Sequence, residues 1–206
     1  MSNAIGLVPL LPLLSSLLLM IFGARMTRPM ITLLGVGSVG AAALATAALA
    51  MEFMANPQPI EITLWTWMKV ANLTSGVAFY VDGLTLVMMS VITGVGFLIH
   101  LFSSEFMHQD ASYARYFAYL NMFVSAMLVL VLADNLLLLY LGWEGVGVCS
   151  YLLVGFWYTD RANGRAARKA FIVTRIGDTA MALGLLLLFT ELGTLDIQSM
   201  VGAANA

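Results

Sequence analysis

The sequence predicts an all-α membrane protein that crosses the bilayer about six times and forms a single domain over residues 1–206. Of its 206 residues, 61% are hydrophobic and 10% are charged, whereas a soluble domain carries about 25% charged residues. Six apolar runs are each long enough to span a hydrocarbon core about 30 Å thick. The basic residues concentrate on alternate connections between these runs, and the net charge of −2 gives no reason to expect a nucleic-acid partner.

The six apolar runs set the order of the predicted helices. They lie at residues 5–22, 30–51, 84–102, 116–133, 136–157 and 171–192. The fourth and fifth runs are separated only by residues 133–135. We therefore expect a tight turn there and an antiparallel pair of helices on either side of it.

The orientation of the chain follows from lysine and arginine, which favour cytoplasmic connections. The connections after the first, third and fifth runs contain Arg25, Arg28, Arg115, Arg161, Arg165, Arg168 and Lys169. The connections after the second and fourth runs contain only Lys69. We therefore predict an external N-terminus and a cytoplasmic loop at residues 158–170. The basic cluster of this loop is interpreted as an orientation signal, and contact with anionic lipid is the alternative.

The one long connection, residues 52–83, is predicted to be an external loop. It contains Pro57, Pro59, Trp65 and Trp67. Apolar and polar residues alternate at the start of residues 62–68, which is typical of a short strand or hairpin. The alternative is a segment at the membrane interface that is anchored by its tryptophans.

Glu144 is the acid in the middle of the fifth apolar run. It lies ten residues after Asp134, which corresponds to about 15 Å of helix rise, or about half of the hydrocarbon core. An ionised carboxyl group at that depth is costly, and it is tolerated where it faces protein or water. Glycines at positions 142, 145 and 147 permit close approach of a neighbouring helix. Glu144 is predicted to take part in proton translocation, with a buried structural carboxylate as the alternative.

Three further charged or titratable residues lie within the predicted spans. Arg175 and Asp178 are three residues apart, so they share one helix face. Asp178 is expected about 12 Å inside the membrane, and Arg175 is expected to be shallower and to reach toward the cytoplasmic side. We predict that they tune a nearby proton site; an ion pair that merely neutralises itself is the alternative. His100 is a candidate proton relay because imidazole titrates near neutral pH, and a packing histidine is the alternative.

Five further acids lie at the ends of the apolar runs. They are Glu52, Asp82, Glu105, Asp134 and Glu191. We expect them in or near water, where acids also cap helices, and we consider Asp82 and Asp134 as groups at the mouth of a channel.

The sequence contains no phosphate-binding loop, no metal-ligand spacing and no nucleophile motif, so we expect neither a metal nor a cofactor in this chain.

Five stretches of the sequence are distinctive. They are LGWEGVGVCSYLLVGFWYTD at 141–160, KAFIVTRIGD at 169–178, DGLTLVMMSVITGVGFLIH at 82–100, LWTWM at 64–68 and ELGTLDIQSMV at 191–201. These stretches resemble the L subunit family of bacterial NADH-quinone oxidoreductase, respiratory complex I. The resemblance covers nearly the whole chain. The segment around Glu144 distinguishes it from the sister subunits M and N and from the large subunit of sodium/proton antiporters.

The resemblance implies the distal proton-pumping subunit of a membrane arm in the bacterial inner membrane. Its expected partners are lipid and other membrane-arm subunits, especially the neighbouring antiporter-like subunit. By this resemblance, Glu144 matches a glutamate that partners a lysine on a broken seventh helix, and Arg175 and Asp178 match residues that modulate that pair. NADH, FMN, iron–sulfur clusters and quinone are expected in other subunits, so this chain is a non-redox part of a translocase.

Members of that family are much longer than this chain. We therefore expect the chain to be the N-terminal part of such a subunit, inactive by itself, with the partner lysine beyond Ala206. One alternative function is the large subunit of a multisubunit cation/proton antiporter. Another is a non-transporting scaffold whose buried charges only hold helices together.

The predicted orientation can be tested with the substitution Asn163→Cys in the basic connection. We expect this cysteine to react with a membrane-impermeant thiol reagent only from the cytoplasmic side. Gln58→Cys, in the predicted external loop, should show the opposite pattern. Labelling of Asn163→Cys from outside intact cells would reverse the predicted topology.

Overall fold

The computed structural model describes residues 2–70 and 73–204, in which seven helices and one β-hairpin follow in order. They are α1 (Ser2–Phe22), α2 (Arg28–Ala55), β1 (Ile60–Val70), β2 (Leu73–Val81), α3 (Gly83–Phe106), α4 (Tyr113–Leu132), α5 (Leu136–Val154), α6 (Arg161–Leu192) and α7 (Ile197–Ala204). Helices α1 to α6 are long and apolar enough to cross a membrane. The predicted helical membrane fold with six spans is thereby confirmed.

Helix α4 lies at the centre of the bundle. It packs against α1, α2, α3 and α5, and it contributes buried residues along its whole length. Side-chain hydrogen bonds join it to its neighbours: the Ser125 hydroxyl donates to the Pro9 carbonyl oxygen at 2.8 Å, and the Ser38 hydroxyl donates to Asn121 Oδ1 at 2.9 Å. Helices in lipid gain little from hydrophobic burial against each other, so packing and such hydrogen bonds hold them together.

The contact between α5 and α4 depends on Gly142. A Cβ atom at this position would lie 2.6 Å from the backbone nitrogen of Leu130 and 2.7 Å from its Cα atom. A Cβ at Gly145 would lie 3.1 Å from the Cβ of Ala126, whereas a Cβ at Gly147 would meet nothing within 4 Å. Two of the three glycines around Glu144 thus face α4, and they fix which side of α5 remains for other contacts.

The connections between helices gather at two opposite ends of the bundle. At one end, the indole N–H of Trp157 donates to Asp110 Oδ2 at 3.0 Å, and the Arg115 guanidinium stacks on the Phe156 ring with its central carbon 4.8 Å from the ring centroid. This end carries the basic connections, which the sequence analysis predicts to be cytoplasmic. The opposite, predicted external end contains the hairpin, the α4–α5 turn and the connection from α6 to α7.

The predicted strand is confirmed as part of an antiparallel hairpin. Strands β1 and β2 pair from Ile60 opposite Val81 to Val70 opposite Leu73. The predicted boundary of the external loop at residue 52 is wrong, because α2 continues to Ala55. The helix ends just before Pro57, and a residue that precedes proline is disfavoured in helical conformation.

The predicted loop at residues 158–170 is also wrong over most of its length, because α6 begins at Arg161. The Asp160 side chain caps the helix by accepting a hydrogen bond from the Ala162 backbone N–H at 2.8 Å. Alanine, arginine and lysine are strong helix formers, whereas hydropathy marks only the part of a helix that suits lipid. Helix α6 has 32 residues and is therefore about 48 Å long.

The predicted tight turn between α4 and α5 is confirmed, and backbone hydrogen bonds hold it from both sides. On one side, the Asp134 N–H donates to the Ala78 carbonyl oxygen of β2 at 3.1 Å. On the other side, the Leu136 N–H donates to the Leu195 carbonyl oxygen at 2.9 Å, and the Ile197 N–H donates to the Asp134 carbonyl oxygen at 3.1 Å. We call this arrangement of β2, residues 133–136 and residues 195–197 the external junction.

The α4–α5 contact predicts a large difference between two glycine substitutions on the same helix. Gly142→Val should destabilise the protein by about 1–3 kcal/mol, the usual cost of overpacking, because backbone atoms of Leu130 occupy the space of the new side chain. The matched control Gly147→Ala meets open space and should be neutral or slightly stabilising. The measurement is the midpoint of unfolding in a titration with SDS. Equal midpoints for Gly142→Val and the unsubstituted protein would contradict this account of the packing.

Candidate functional site

Glu144 lies at the middle of α5, where it is the ninth of the 19 helical residues. The helix rise of about 1.5 Å per residue therefore places it about 12 Å from the start of α5. Its side chain is 20% exposed and points toward α6, away from the glycine face that packs on α4. Glu144 is thus available to residues of the sixth helix.

Arg175 of α6 is the partner of Glu144 in this structure. Its Nη1 atom forms an ion pair with Glu144 Oε2, and the same Nη1 atom lies 3.8 Å from Asp178 Oδ2. The guanidinium also lies over the Phe171 ring, 4.7 Å from its centroid. These contacts direct the guanidinium to α5, and the expectation that Arg175 reaches toward the cytoplasmic side stays a prediction.

Asp178 is buried at 4% exposure and bonds across to α5 as well. Its Oδ1 atom accepts a hydrogen bond from the indole N–H of Trp143 at 2.8 Å. Arg175 and Asp178 therefore do more than neutralise each other within α6, since each contacts a residue of α5. Sequence reasoning missed Trp143; the signal was a polar indole N–H inside an apolar run, where few acceptors are available.

His100 lies apart from this cluster, on α3. It is fully buried, its Nδ1 atom is 2.7 Å from the Gly96 carbonyl oxygen, and its ring centroid is 6.0 Å from that of Phe117 on α4. Its Nε2 atom has no hydrogen-bond partner among the residues that the structure describes. The structure thus gives His100 a packing contact and leaves its relay role a prediction.

A cavity of about 370 Å³ adjoins the cluster between α3, α4, α5 and α6. Most of its lining is apolar, and its polar side chains are those of Trp143, Ser150, Thr174 and Asp178. Buried water needs both room and polar partners, and this cavity has both at its α5–α6 wall. It can admit water, or a side chain from outside the described residues, to the carboxylate of Asp178.

The cluster combines two carboxyl groups and one guanidinium. Because a guanidinium stays protonated in proteins, full ionisation of Glu144 and Asp178 leaves one net negative charge in the middle of two apolar helices. An uncompensated charge at that depth is costly, so a proton or a further cation must neutralise it. The described residues contain no group of three or more histidine, cysteine or acidic side chains that could hold a metal ion.

Two acids at helix ends, Asp82 and Asp134, differ in whether they cap a helix and in how exposed they are. Asp82 caps α3 as expected, because its Oδ1 atom accepts a hydrogen bond from the Thr85 backbone N–H at 2.8 Å. The expectation that Asp134 lies in or near water is wrong, since its side chain is 3% exposed. Asn135 caps α5 in its place and accepts a hydrogen bond from the Leu138 N–H at 2.9 Å. The hairpin, which covers Asp134, was not visible in the local sequence around the turn.

Two protein families match the chain. Residues 67–117 match the family described as NADH-Ubiquinone oxidoreductase (complex I), chain 5 N-terminus. Residues 133–206 match the family described as NADH:quinone oxidoreductase/Mrp antiporter, TM. The second match contains the entire α5–α6 cluster.

Two solved structures share the fold. The membrane-bound sulfane sulfur reductase, an archaeal respiratory membrane complex, aligns over 98% of this chain and 30% of its own chain, with a TM-score of 0.79 and 18% identity. The Mrp complex from Dietzia sp. DQ12-45-1b aligns over 94% of this chain and 20% of its own, with a TM-score of 0.78 and 20% identity. At these identities the likeness concerns the fold alone.

Full-length relatives are much more similar in sequence. NADH-quinone oxidoreductase subunit L of Escherichia coli (strain K12) is 52% identical over 99% of this chain and 33% of its own length. The subunit L of Pseudomonas aeruginosa is 50% identical over 97% of this chain and 33% of its own length. The chain thus spans about one third of the length of these relatives. The chain belongs to the subunit L family of NADH-quinone oxidoreductases.

Proposed function

We propose that the chain is part of a proton-translocating, non-redox subunit of an NADH:quinone oxidoreductase in the bacterial inner membrane. The observation that carries this proposal is the ion pair of Glu144 with Arg175 at the middle of α5, with Asp178 beside it. Three charged residues at this depth serve no obvious packing need, because apolar side chains would pack there at lower cost. Ionisable residues within membrane spans usually mark ion or proton pathways.

The geometry supports a specific division of roles. Arg175 provides the fixed positive charge, since it does not release its proton. Glu144 and Asp178 are the groups whose protonation can change, and they lie on different helices. When a further cation approaches Glu144, the guanidinium can turn toward Asp178, whose Oδ2 atom is 3.8 Å away. Each arrival or withdrawal of that cation then changes the proton affinity of the two carboxyl groups.

The family supplies a candidate for the further cation. The resemblance implies a lysine on a broken seventh helix as the partner of Glu144. Arg175 holds Glu144 within the described residues, so we propose that the lysine competes with Arg175 for the carboxylate. His100 is proposed as a proton relay on a separate path, with its buried Nε2 atom as the group that takes part.

We further propose that NADH, FMN, iron–sulfur clusters and quinone bind to other subunits of the complex. The partners of this chain are the lipid bilayer and the neighbouring membrane-arm subunits, especially the adjacent antiporter-like one. Large exposed apolar side chains on α2, α3 and α6 support both kinds of contact, for example Leu44, Phe102 and Leu187. Such side chains suit lipid or another helix and are unfavourable in water.

The alternative function is the large subunit of a multisubunit cation/proton antiporter. Its support is the description of the second matching family and the fold of the Mrp complex. The subunit L relatives, at 52% and 50% identity, favour the oxidoreductase. Co-purification with NADH-oxidising subunits distinguishes the two functions, because only the oxidoreductase subunit should co-purify with them.

Replacing Glu144 tests the proposed proton translocation in the full-length subunit. Glu144→Gln keeps the size of the side chain and removes its titration. We expect normal assembly, partly retained NADH oxidation and several-fold fewer protons moved per electron pair. Glu144→Asp should have a milder effect, because the charge remains. The measurement is proton uptake into sealed vesicles, normalised to the oxidation rate and to the amount of assembled complex.

A matched control is Glu191→Gln, which changes an exposed acid near the end of α6 and should leave the ratio unchanged. The same ratio of protons to electrons in Glu144→Gln and in the unsubstituted enzyme would remove Glu144 from the mechanism. Loss of assembled complex in step with lost pumping would instead favour the scaffold function.

The ion pair itself predicts coupling between two substitutions. Arg175→Gln leaves two carboxyl groups without their cation and should lower the amount of assembled complex, because a carboxylate within an apolar span is costly when no cation lies beside it. Adding Glu144→Gln removes one of the stranded carboxylates, so the double variant should assemble better than Arg175→Gln alone. The comparison is a double-mutant cycle on complex yield and thermal stability. Purely additive effects would show that the two side chains do not interact in the membrane.

A further inference from the structure

The external junction contains a buried acid that the proposed proton pathway does not use. The Asp134 side chain is 3% exposed, and its Oδ1 atom has no hydrogen-bond partner among the described residues. A buried ionised carboxylate without partners is strongly unfavourable, whereas the neutral acid carries a much smaller desolvation cost. The site therefore suits a carboxyl group that holds a proton.

The charged groups around Asp134 also favour the protonated form of its carboxyl group. The charged groups that influence it are Asp196, on the connection between α6 and α7, and Glu61, on β1; both are acidic. Neither β2, α4 nor α5 adds a charged group to this set. Burial first, and then the repulsion from Asp196 and Glu61, raise the pKa of Asp134 to about 6.

The Asp196 side chain caps α7. Its Oδ1 atom accepts a hydrogen bond from the Ser199 backbone N–H at 2.7 Å, at the start of α7. Among the described residues, no group of three or more histidine, cysteine or acidic side chains could hold a metal ion in place of the Asp134 proton.

We propose that Asp134 is a proton-binding group of the external face and that its bound proton stabilises the backbone hydrogen bonds of the external junction. With the proton bound, the buried side chain is neutral, and the turn stays between β2 and residues 195–197. When the O–H bond breaks and the proton leaves to external water, a third negative charge appears beside Asp196 and Glu61. The repulsion weakens the backbone hydrogen bonds that the turn makes to Ala78, Leu195 and Ile197.

The direction of the pH dependence follows from the raised pKa. The folded protein holds the Asp134 proton more tightly than the unfolded chain does. The contribution of this proton to the stability of the external junction is therefore complete below the ordinary aspartate pKa. It is lost as the pH rises toward about 6, and it stays lost above that value. The backbone hydrogen bonds of the external junction should therefore be stable at mildly acidic pH and weaker at neutral pH. This expectation holds whether or not the subunit pumps protons.

Hydrogen exchange on the full-length subunit in its assembled complex tests the proposal. After correction for the intrinsic pH dependence of exchange, deuterium uptake by the amides of Asp134, Leu136 and Ile197 should rise several-fold as the pH passes about 6. In Asp134→Asn, which mimics the neutral acid, uptake should stay low and independent of pH. The control Asp82→Asn keeps its capping function and should retain the profile of the unsubstituted protein.

A second variant separates titration of Asp134 from a structural effect. Asp196→Asn still caps α7 but removes one repulsive charge, so the midpoint of the exchange profile should move to lower pH. A purely structural role for Asp134 would leave this midpoint where it is. A pH profile that persists in Asp134→Asn, or a midpoint that Asp196→Asn does not move, overturns the proposal. If Asp134→Asn fails to assemble, the midpoint in Asp196→Asn decides by itself.

Discussion

The cost of charge in an apolar medium governs the arrangement of this chain. One guanidinium at the α5–α6 interface faces two carboxyl groups, so the charges of the three side chains offset one another in part. The close contact of α5 with α4 at Gly142 fixes the rotation of α5 about its axis. This rotation directs Trp143 and Glu144 to α6. The electrostatic site is therefore a consequence of where one glycine packs.

The two ends of the bundle are held by different interactions. At the predicted cytoplasmic end, long side chains such as Arg115 and Trp157 bridge neighbouring connections. At the predicted external end, backbone hydrogen bonds run from β2 through the α4–α5 turn to residue 197, and the Asn135 side chain adds a bond to the Gly76 carbonyl oxygen. Through these backbone hydrogen bonds, the external junction positions the start of α5 next to the connection that follows α6. Both helices of the candidate site start or end at this junction.

The sequence predicted the number of spans, the tight turn and the hairpin, because hydropathy, spacing and alternation are local properties. It did not predict that α6 begins at Arg161, since a helix continues outside lipid wherever propensity and caps allow it. It placed Glu144 correctly in the middle of a span, yet the pairing with Arg175 depends on which faces of two helices meet. The burial of Asp134 depends in the same way on a hairpin that is distant in sequence.

Helix α6 has a mechanical consequence that follows from its length. It is one continuous helix of 32 residues, longer than the hydrocarbon core by about 18 Å, and its extra turns carry the basic cluster. A helix resists compression along its axis, so a force on the basic end displaces the whole rod, Arg175 included. Tilting or sliding of α6 by a small distance changes the separation of Arg175 from Glu144. The basic end of α6 outside the hydrocarbon core and Arg175 inside it belong to one continuous helix, so their movements along the helix axis are coupled.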